Sequence, residues 1–598
     1  MNISTIIDLK FDLRRGYRVP SLGAKLSARY MRGILQFIIA INCIFMACPR
    51  AEASSFGASR AEVLRLPPSL QAAASDFGTF TCPSLELAGI LTGEAPLGGA
   101  LNLLLEGATV LDPRSLAAEW QAALGQPYSR EGLGRVASRI ECRYREAGYL
   151  FSKAVVKAAS DGVAGNYVIA MQEGRLQHME VQTSDPVLAR LILRAFSNLK
   201  PGAPLNAGGV RRGLANAAAL GVTEVRPTVR RSRLDSDGVD LIFVVASPPT
   251  EVFVQAANGG TEPLGPYGVT AGVRMFGLTP FGDRTLLGVF SSSDGREQKS
   301  VQFQSNILLN GQGSGLTAKG AYARAKPGAA LAPLDVQAQT QFLSLEFTQP
   351  FIVRRGLVAT AFVGLESVDQ TTDILGNVRL STDHLRVALL GARADGLSGL
   401  GVWQAQGEFR KGLEGMGASR AGERILSRAA SDPQAGLFRG EASAQMVLPK
   451  GILARASLRG QWSGTALAGF EQFSFGSLNG GPGLAPGAVS GDSGLALMVA
   501  LDGPSYTLTK GVTVRPTAQF STASAWNEGA RLADDTRATV AAIGVRFGLG
   551  PRTSLDLLLA EPLPGMTQVA RGNSGSTIMV QVATGLSWLP GQFMKGRN

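Results

Sequence analysis

The sequence predicts an α+β region of two small modules, followed by a transmembrane antiparallel β-barrel of about 16 strands. Three observations predict this architecture. Helical and strand-like segments alternate up to Pro249, and after it apolar and polar residues alternate with a period of two. The connections between these later segments alternate between short and long. Beyond the N-terminus, no apolar run reaches the roughly 18 residues that a membrane-spanning helix needs.

Residues 1–53 are predicted to be a secretory signal peptide with an N-terminal extension. Basic residues precede an apolar run from Ile34 to Ala47, and the small residues AEA then place the cleavage site before Ser54. Met31 is an alternative start. Cys48 is a poor lipidation site, because the position three residues before it is Phe45.

Export to an oxidising compartment allows disulfide formation and changes how the net positive charge is interpreted. The mature chain keeps only Cys82 and Cys142, which can pair as a disulfide or remain as two buried thiols. The net charge of +12 raises the question of nucleic-acid binding. Exported proteins rarely meet nucleic acid, and these arginines are spread singly along strands instead of forming a stripe. We therefore predict charges that face solvent or the barrel lumen, and no nucleic-acid partner.

The predicted modules occupy residues 101–175 and 176–249, after a linker or plug-helix region at 54–100. In the first, apolar residues at helical spacing predict a helix from Ser129 to Ala147, followed by two strand-like segments. The second repeats this mixture of strands and helices. Two successive α+β modules of about 75 residues each are expected, and one mixed domain is the alternative.

Residues 250–598 are predicted to form the barrel, because each strand has one apolar and one polar face. In FLSLEFT, for example, Leu343, Leu345 and Phe347 alternate with Ser344, Glu346 and Thr348. An even strand number places both barrel ends in the periplasm, with short turns on that side and long loops outside, as after Glu414 and Thr465. Inward arginines such as Arg455 and Arg459 suit a wet lumen better than the core of a sandwich.

The stretch VSGDSGLAL contains the Gly-Asp-Ser-Gly that surrounds serine-protease nucleophiles. A nucleophilic serine needs a histidine base that is held by a carboxylate. The chain has only two histidines, His178 and His384, and His384 lies in the polar segment STDH. We therefore interpret Ser493 as part of a glycine-rich loop that runs into a strand. We expect no enzymatic activity and no cofactor, since GQGSG at 311–315 lacks the ending of a nucleotide-binding loop.

Several segments, taken in order, resemble the outer-membrane transporters of two-partner secretion, which export haemolysins and filamentous haemagglutinins. YREAGYLFSKAVV is similar to part of the first of that family's periplasmic POTRA modules. The segment from Asn258 to Phe290 is similar to the start of its barrel, and FTQPF to a later strand. FEQFSFG and SGDSG resemble the flanks of an extracellular loop that the family folds back into the barrel, here 464–493. The matched positions are Asn258, Gly259, Gly282, Asp283, Glu471, Phe473, Gly476, Gly491, Asp492 and Gly494.

The tip of this loop departs from the family pattern. The family carries Val-Arg-Gly and an aromatic residue, and the aligned residues here are Gly481, Pro482, Gly483 and Leu484. The family's arginine pairs with an aspartate in a Phe-x-Asp-x-Gly strand, for which the match here is FSTAS, with Phe520 and Thr522. Loss of both partners of a buried ion pair can be nearly neutral, whereas loss of one leaves a charge unpaired. A misalignment of this glycine-rich loop by several residues is the alternative.

The resemblance implies a monomeric transporter in lipid of the outer membrane. It would export a partner exoprotein that its POTRA modules recognise. Because the family's arginine and aspartate are both missing here, we hypothesise that the loop is held by backbone and apolar contacts and forms a looser plug. An extended segment that adds to an exposed strand edge is a plausible recognition mode. A factor that assembles other barrels is the alternative function. A passive diffusion pore would not explain the modules.

Overall fold

The computed structural model describes residues 102–588 except 118, 120, 122–128, 161–162, 164, 223, 234, 236–237, 400, 529–534, 565–566 and 568–575. The predicted signal peptide and the 54–100 region lie outside the described residues, as does Cys82. Cys142 forms a disulfide bond. Because Cys82 lies outside the described residues, the pairing of these two cysteines stays a prediction. Among the described residues, none of the helices is long and apolar enough to cross a membrane.

The first module packs two helices on a three-stranded sheet. Its elements are β1 (Asn102–Glu106), α1 (Pro113–Ala117), α2 (Arg130–Glu146), β2 (Lys153–Ala158) and β3 (Asn166–Gln172). The sheet order is β1-β3-β2. The predicted helix is confirmed: Ser129 caps α2 by accepting a hydrogen bond from the Gly132 amide, and Leu133, Val136, Ile140 and Tyr144 are its buried face. Gly148, with a φ of 92°, follows its end.

The second module has its own sheet and core. Its elements are β4 (Arg175–Gln182), α3 (Pro186–Ala195), α4 (Ala207–Ala219), β5 (Val225–Arg231) and β6 (Gly238–Val245), with sheet order β4-β6-β5. Asp185 and Asn206 cap the two helices. The rings of Phe196 and Phe243, 4.2 Å apart, join the helices to the central strand. The described strands of the two modules thus form two separate sheets.

The barrel is closed and antiparallel, as the sequence predicts. Its strands are β7 (Thr250–Ala257), β8 (Gly268–Phe276), β9 (Arg284–Ser292), β10 (Gln298–Leu308), β11 (Gly315–Ala325), β12 (Gln337–Arg354), β13 (Leu357–Ile374), β14 (Val378–Ser398), β15 (Gly401–Gly412), β16 (Gly436–Leu448), β17 (Ile452–Ser463), β20 (Ser493–Asp502), β21 (Tyr506–Thr509), β22 (Val512–Trp526), β23 (Thr536–Leu549), β24 (Thr553–Pro562) and β25 (Thr577–Trp588). Because β20 and the short β21 both pair with β22, they are two parts of one wall strand. The wall therefore has 16 strands, and β25 pairs with β7 to close it.

The predicted faces of the strands are confirmed. In β12, the side chains of Leu343, Leu345 and Phe347 are 60%, 50% and 40% exposed on the outside, whereas Ser344, Glu346 and Thr348 are buried inside. The outer surface is thus apolar and the inner surface polar, as a barrel in lipid requires. Short turns join the strands at the module end. The long loops 413–435 and 464–492 lie at the far end.

The second module is docked against the turns at its end of the barrel. The Asn216 side-chain amide donates to the carbonyls of Ala195 (3.2 Å) and Gly311 (2.9 Å). The Gly311 amide in turn donates to the Ser197 hydroxyl (2.9 Å). The Arg194 guanidinium donates to the Phe281 carbonyl (2.8 Å) in the β8–β9 turn. The glycine-rich stretch at 311–315 is therefore a docking turn for this module.

Candidate functional site

Residues 464–492, hereafter the inward loop, fold into the barrel between β17 and β20. The loop forms a hairpin of β18 (Phe473–Phe475) and β19 (Val489–Gly491). Its buried apolar side chains pack against small residues that line the inside of β20, β22, β23 and β24. This cluster comprises Phe473, Phe475, Leu484, Ala488 and Val489 of the loop and Ala496, Ala523, Ala525, Ala538, Val540, Ala542 and Ala560 of the wall. The alanines leave the space that the loop fills.

Close approaches explain the glycines that flank the loop. A Cβ on Gly494 would lie 2.3 Å from the ring of Phe473, and one on Gly491 would lie 2.6 Å from the Trp526 carbonyl oxygen. A Cβ on Gly476 would lie 2.2 Å from the Ala485 carbonyl oxygen. A side chain at Gly491 or Gly494 would push the hairpin off the wall, and one at Gly476 would distort the loop itself. The matched motifs FEQFSFG and SGDSG therefore meet each other in space.

The tip of the inward loop is held by apolar packing and by hydrogen bonds from wall side chains to its backbone carbonyls, including one from the Arg459 guanidinium to the Asn479 carbonyl (2.8 Å). Gly483 has a φ of 77°, and a Cβ there would lie 2.9 Å from the Cβ of Ala560. Pro482 and Leu484 on either side of it are buried. The Gly480 carbonyl accepts a hydrogen bond from the Gln519 side chain (3.1 Å). The tip residues 476–488 include no charged side chain, so no ion pair forms there.

Thr522 does not face the inward loop. It shares the outward face of β22 with Phe520, which is 44% exposed, and its hydroxyl lies 3.0 Å from that of Thr539. Side chains alternate along a strand, so the loop-facing residue next to it is Ser521, which is fully buried beside Gln519. The position matched to the family's aspartate therefore lies on the outward face of β22. Neither residue carries a charge.

Glu471, at the base of the loop, lies between two arginines of the wall. It is 6% exposed. One of its carboxylate oxygens accepts a hydrogen bond from Arg410 on β15 (2.8 Å), and the other accepts from Arg439 on β16 (2.7 Å). Arg410 also donates to Glu366 on β13 (2.5 Å). The buried carboxylate is therefore fully paired, which makes its burial tolerable.

Asp492, at the other base of the loop, is the second buried carboxylate. It is 0% exposed and forms an ion pair with Arg428 of loop 413–435, hereafter the surface loop. Asp492 also accepts hydrogen bonds from the amides of Leu467 (2.9 Å) and Glu528 (3.0 Å). The contacts at this end of the loop are thus electrostatic, whereas the tip carries no charged side chain.

Ser493 is the first residue of β20, as predicted, and its contacts are structural. Its hydroxyl accepts a hydrogen bond from the Ser463 amide (3.0 Å) and donates to the Ser463 carbonyl (3.3 Å). His384 lies elsewhere on the wall, with its Nδ1 2.6 Å from an Asp369 carboxylate oxygen. Within the described residues, no group of three or more His, Cys, Asp and Glu side chains could hold a metal ion.

The remaining matched positions lie at the barrel seam and at a turn. The Asn258 side chain donates to the Ile578 carbonyl (2.8 Å) and accepts from the Val580 amide (2.7 Å), which extends the β7–β25 pairing by side-chain bonds. The Gly259 carbonyl accepts from the Ser477 hydroxyl of the inward loop (2.6 Å). Gly282 and Asp283 form the β8–β9 turn, where the buried Asp283 carboxylate accepts from the Thr279 amide (2.5 Å).

Sequence comparison identifies the family. Residues 102–174 match the POTRA domain of the ShlB type, and residues 245–547, about half of the chain, match the haemolysin secretion/activation protein family ShlB/FhaC/HecB. The chain belongs to this family. It is a two-partner secretion transporter of the outer membrane that exports a partner exoprotein, and its N-terminal modules lie in the periplasm. The inward loop and the surface loop are consequently at the extracellular end.

Solved structures of similar fold agree with the architecture. CdiB from Escherichia coli has a TM-score of 0.72 at 18% sequence identity, over 87% of this chain and 95% of that one. CdiB from Acinetobacter baumannii has a TM-score of 0.66 at 14% identity, over 93% and 99% of the two chains. No curated protein matches the chain by sequence.

Sequence reasoning missed the arginines that hold the inward loop. Period-two alternation predicts that Arg439 faces inward, but not that it reaches Glu471. Arg410 is followed by Lys411, which obscures the alternation there. Arg428 lies in an irregular loop with no periodicity, 64 residues before Asp492. No sequence pattern joins these two residues, and only the tertiary structure brings them together.

Proposed function

We propose that the exoprotein crosses the membrane through the barrel interior, and that the inward loop is a plug that must move to let it pass. The observation that carries this proposal is the packing of the hairpin β18–β19 against the alanine-rich inner wall. A fixed structural element would be expected to share strand hydrogen bonds with the wall. The described strand pairing of this hairpin is instead only with itself, so it can move without breaking the barrel.

We propose that the exported chain binds in extended form along β5 of the second module. In the sheet order β4-β6-β5, the edge of β4 is partly covered, because Leu176 exchanges backbone hydrogen bonds with Gly202 and Ala203. The other edge belongs to β5, whose alternate residues are exposed. Main-chain hydrogen bonds to such an edge give affinity without demanding one sequence. Pro227 in this strand lacks an amide proton, which favours pairing along Thr228–Arg231.

This strand also has the charge and the position for such a role. Exposed arginines on β5, Arg226 and Arg231 among them, would favour an acidic extended segment. The module is docked on the barrel turns through Asn216 and Arg194, so a segment bound to β5 is held at a fixed place relative to the pore. We further propose that the transporter acts as a monomer in outer-membrane lipid, since barrel closure leaves no strand edge for a second copy.

Single-channel conductance in planar bilayers tests the plug. Because Phe475 pairs with Val489, residues 476–488 can be replaced by Asn-Gly, which closes a hairpin with a two-residue turn. The intact protein should give small, flickering openings, and the shortened variant should give larger, steadier ones. Heat-dependent mobility on gels verifies that each barrel is folded. A large, steady conductance of the intact protein, unchanged by shortening, would refute the plug and favour a permanently open channel.

A further inference from the structure

We propose that Arg428 of the surface loop is a positioning residue that holds the inward loop closed, so that the loop is fixed at its extracellular base and not at its tip. This inference rests on the proposed plug function and names the residue that controls it. The family resemblance implied an arginine at the tip, where this chain has Pro482. The structure places a different arginine, from a different loop, at the base.

Arg428 contacts both ends of the inward loop at once. Its guanidinium forms an ion pair with both carboxylate oxygens of Asp492 and donates a further hydrogen bond to the Leu467 carbonyl. It also donates to the side-chain oxygen of Asn527, in the loop after β22 (3.2 Å). A planar guanidinium can satisfy such a set of acceptors in one geometry, whereas an ammonium cannot. One side chain therefore joins the start of the loop, its end and the neighbouring loop.

The surface loop is itself fixed to the wall. Strand β15 pairs with β14 only from Val387 onward, which leaves the edge of β14 free above that point. The surface loop pairs with this edge: the Thr382 amide donates to the Ile425 carbonyl (2.6 Å), and the Ser419 amide to the His384 carbonyl (2.8 Å). The Ser427 amide, next to Arg428, donates to Asp383 (3.0 Å). Arg428 is thus presented from an anchored segment.

The burial of Asp492 makes its ion pair with Arg428 important for holding the inward loop in place. Its carboxylate is 0% exposed, so loss of Arg428 would leave an anion out of contact with both water and its counter-ion. Moving the base of the inward loop toward solvent relieves that penalty. The tip contacts are packing on alanines and hydrogen bonds to backbone carbonyls, from Gln519 and Arg459 among others, and they bury no carboxylate of the loop. We therefore expect the base ion pair, and not the tip, to set how readily the loop leaves the barrel.

Hydrogen–deuterium exchange of the full-length protein tests this role directly. In R428A, exchange of peptides from residues 464–492 should rise by about tenfold or more, because a buried ion pair has lost one partner. R428K should recover part of the protection. The double variant R428A/D492N should exchange less than R428A alone, because no charge is then left unpaired. R424A, which removes an exposed arginine of the same loop, is the matched control and should match the unmodified protein.

The outcomes separate this inference from the plug itself. Exchange in R428A and R428K equal to that of the unmodified protein would overturn the role of Arg428, whatever the conductance shows. Increased exchange together with more frequent openings in R428A would support both proposals. Increased exchange without any change in conductance, in R428A and in the shortened variant alike, would support Arg428 as the holding residue and overturn the plug.

Discussion

The ring of Phe473 lies directly over Gly494, so closely that a Cβ at residue 494 would stand 2.3 Å from it. This contact joins the two motifs that flank the inward loop, 21 positions apart in the chain. It also accounts for the glycine, because only a residue without a side chain lets β18 approach β20 at this distance. The contact between Phe473 and Gly494 therefore forms only when the inward loop is packed against the barrel wall.

We expect G494A to unseat the hairpin. Overpacking of this kind costs about 1–3 kcal/mol, and here the flexible loop can relieve it by moving away from the wall. Exchange of amides in β18 and β19 should rise, and channel openings should become more frequent. G440A on β16 is the control, since its Cβ would have no heavy atom closer than 4.0 Å. Unchanged exchange in G494A would mean that Phe473 is not held over residue 494 in solution.

We expect E471Q to weaken the deeper anchor of the inward loop. The substitution keeps the shape of the side chain but removes the charge between Arg410 and Arg439. Removing one partner of a buried pair costs about 3–5 kcal/mol, although Glu366 and Glu408 next to Arg410 offset part of it here. Urea unfolding followed by heat-dependent gel mobility measures the loss of stability. E423Q, at an exposed position of the surface loop, should have no effect.

An ion pair restored at the tip should distinguish the two faces of β22. We expect P482R alone to destabilise the closed loop, because it buries an unpaired charge. Adding S521D should recover stability, since Ser521 lies on the loop-facing side with Gln519. Adding T522D should not, because Thr522 lies on the outward face with Phe520. Folded yield and loop exchange give the readout, and recovery by T522D instead of S521D would contradict the orientation of this strand.

The first module should lose a specific stabilising contribution in acid. Burial raises the pKa of the Glu173 carboxyl, but hydrogen bonds from the Thr109 hydroxyl and amide and from the Tyr144 hydroxyl outweigh it, so the pKa lies below its ordinary value of 4.5. A lowered pKa stabilises the fold above pH 4.5, and this contribution is lost as the pH falls through the lower folded value.

The measurement is proteolysis of the full-length protein as a function of pH. Cleavage within residues 102–174 should be faster in E173Q than in the unmodified protein at pH 7, and the difference should shrink below about pH 4. E131Q on α2 removes a carboxylate that is 55% exposed and should show no such dependence. A difference between E173Q and the unmodified protein that does not diminish as the pH falls below 4.5 would mean that the charge of Glu173 is not what stabilises the module.

Local patterns were sufficient to predict most of the architecture. Helical spacing and a following glycine determined α2, and period-two alternation determined which face of each strand meets lipid, as Leu343 and Ser344 illustrate. These features depend on neighbours within a few residues, so the sequence carries them directly. The family motifs likewise predicted that residues 464–493 turn into the barrel, and that Ser493 begins a strand.

Only the tertiary structure decided what holds that loop. Arg428 and Asp492 come from different loops, and Glu471 meets arginines of two separate strands. The outward orientation of Thr522 was likewise not predictable, since residue identity alone does not reveal which face a position occupies in a strand that mixes small polar and apolar residues. Contacts between distant segments depend on barrel closure and strand register, and these are properties of the whole wall that no local pattern contains.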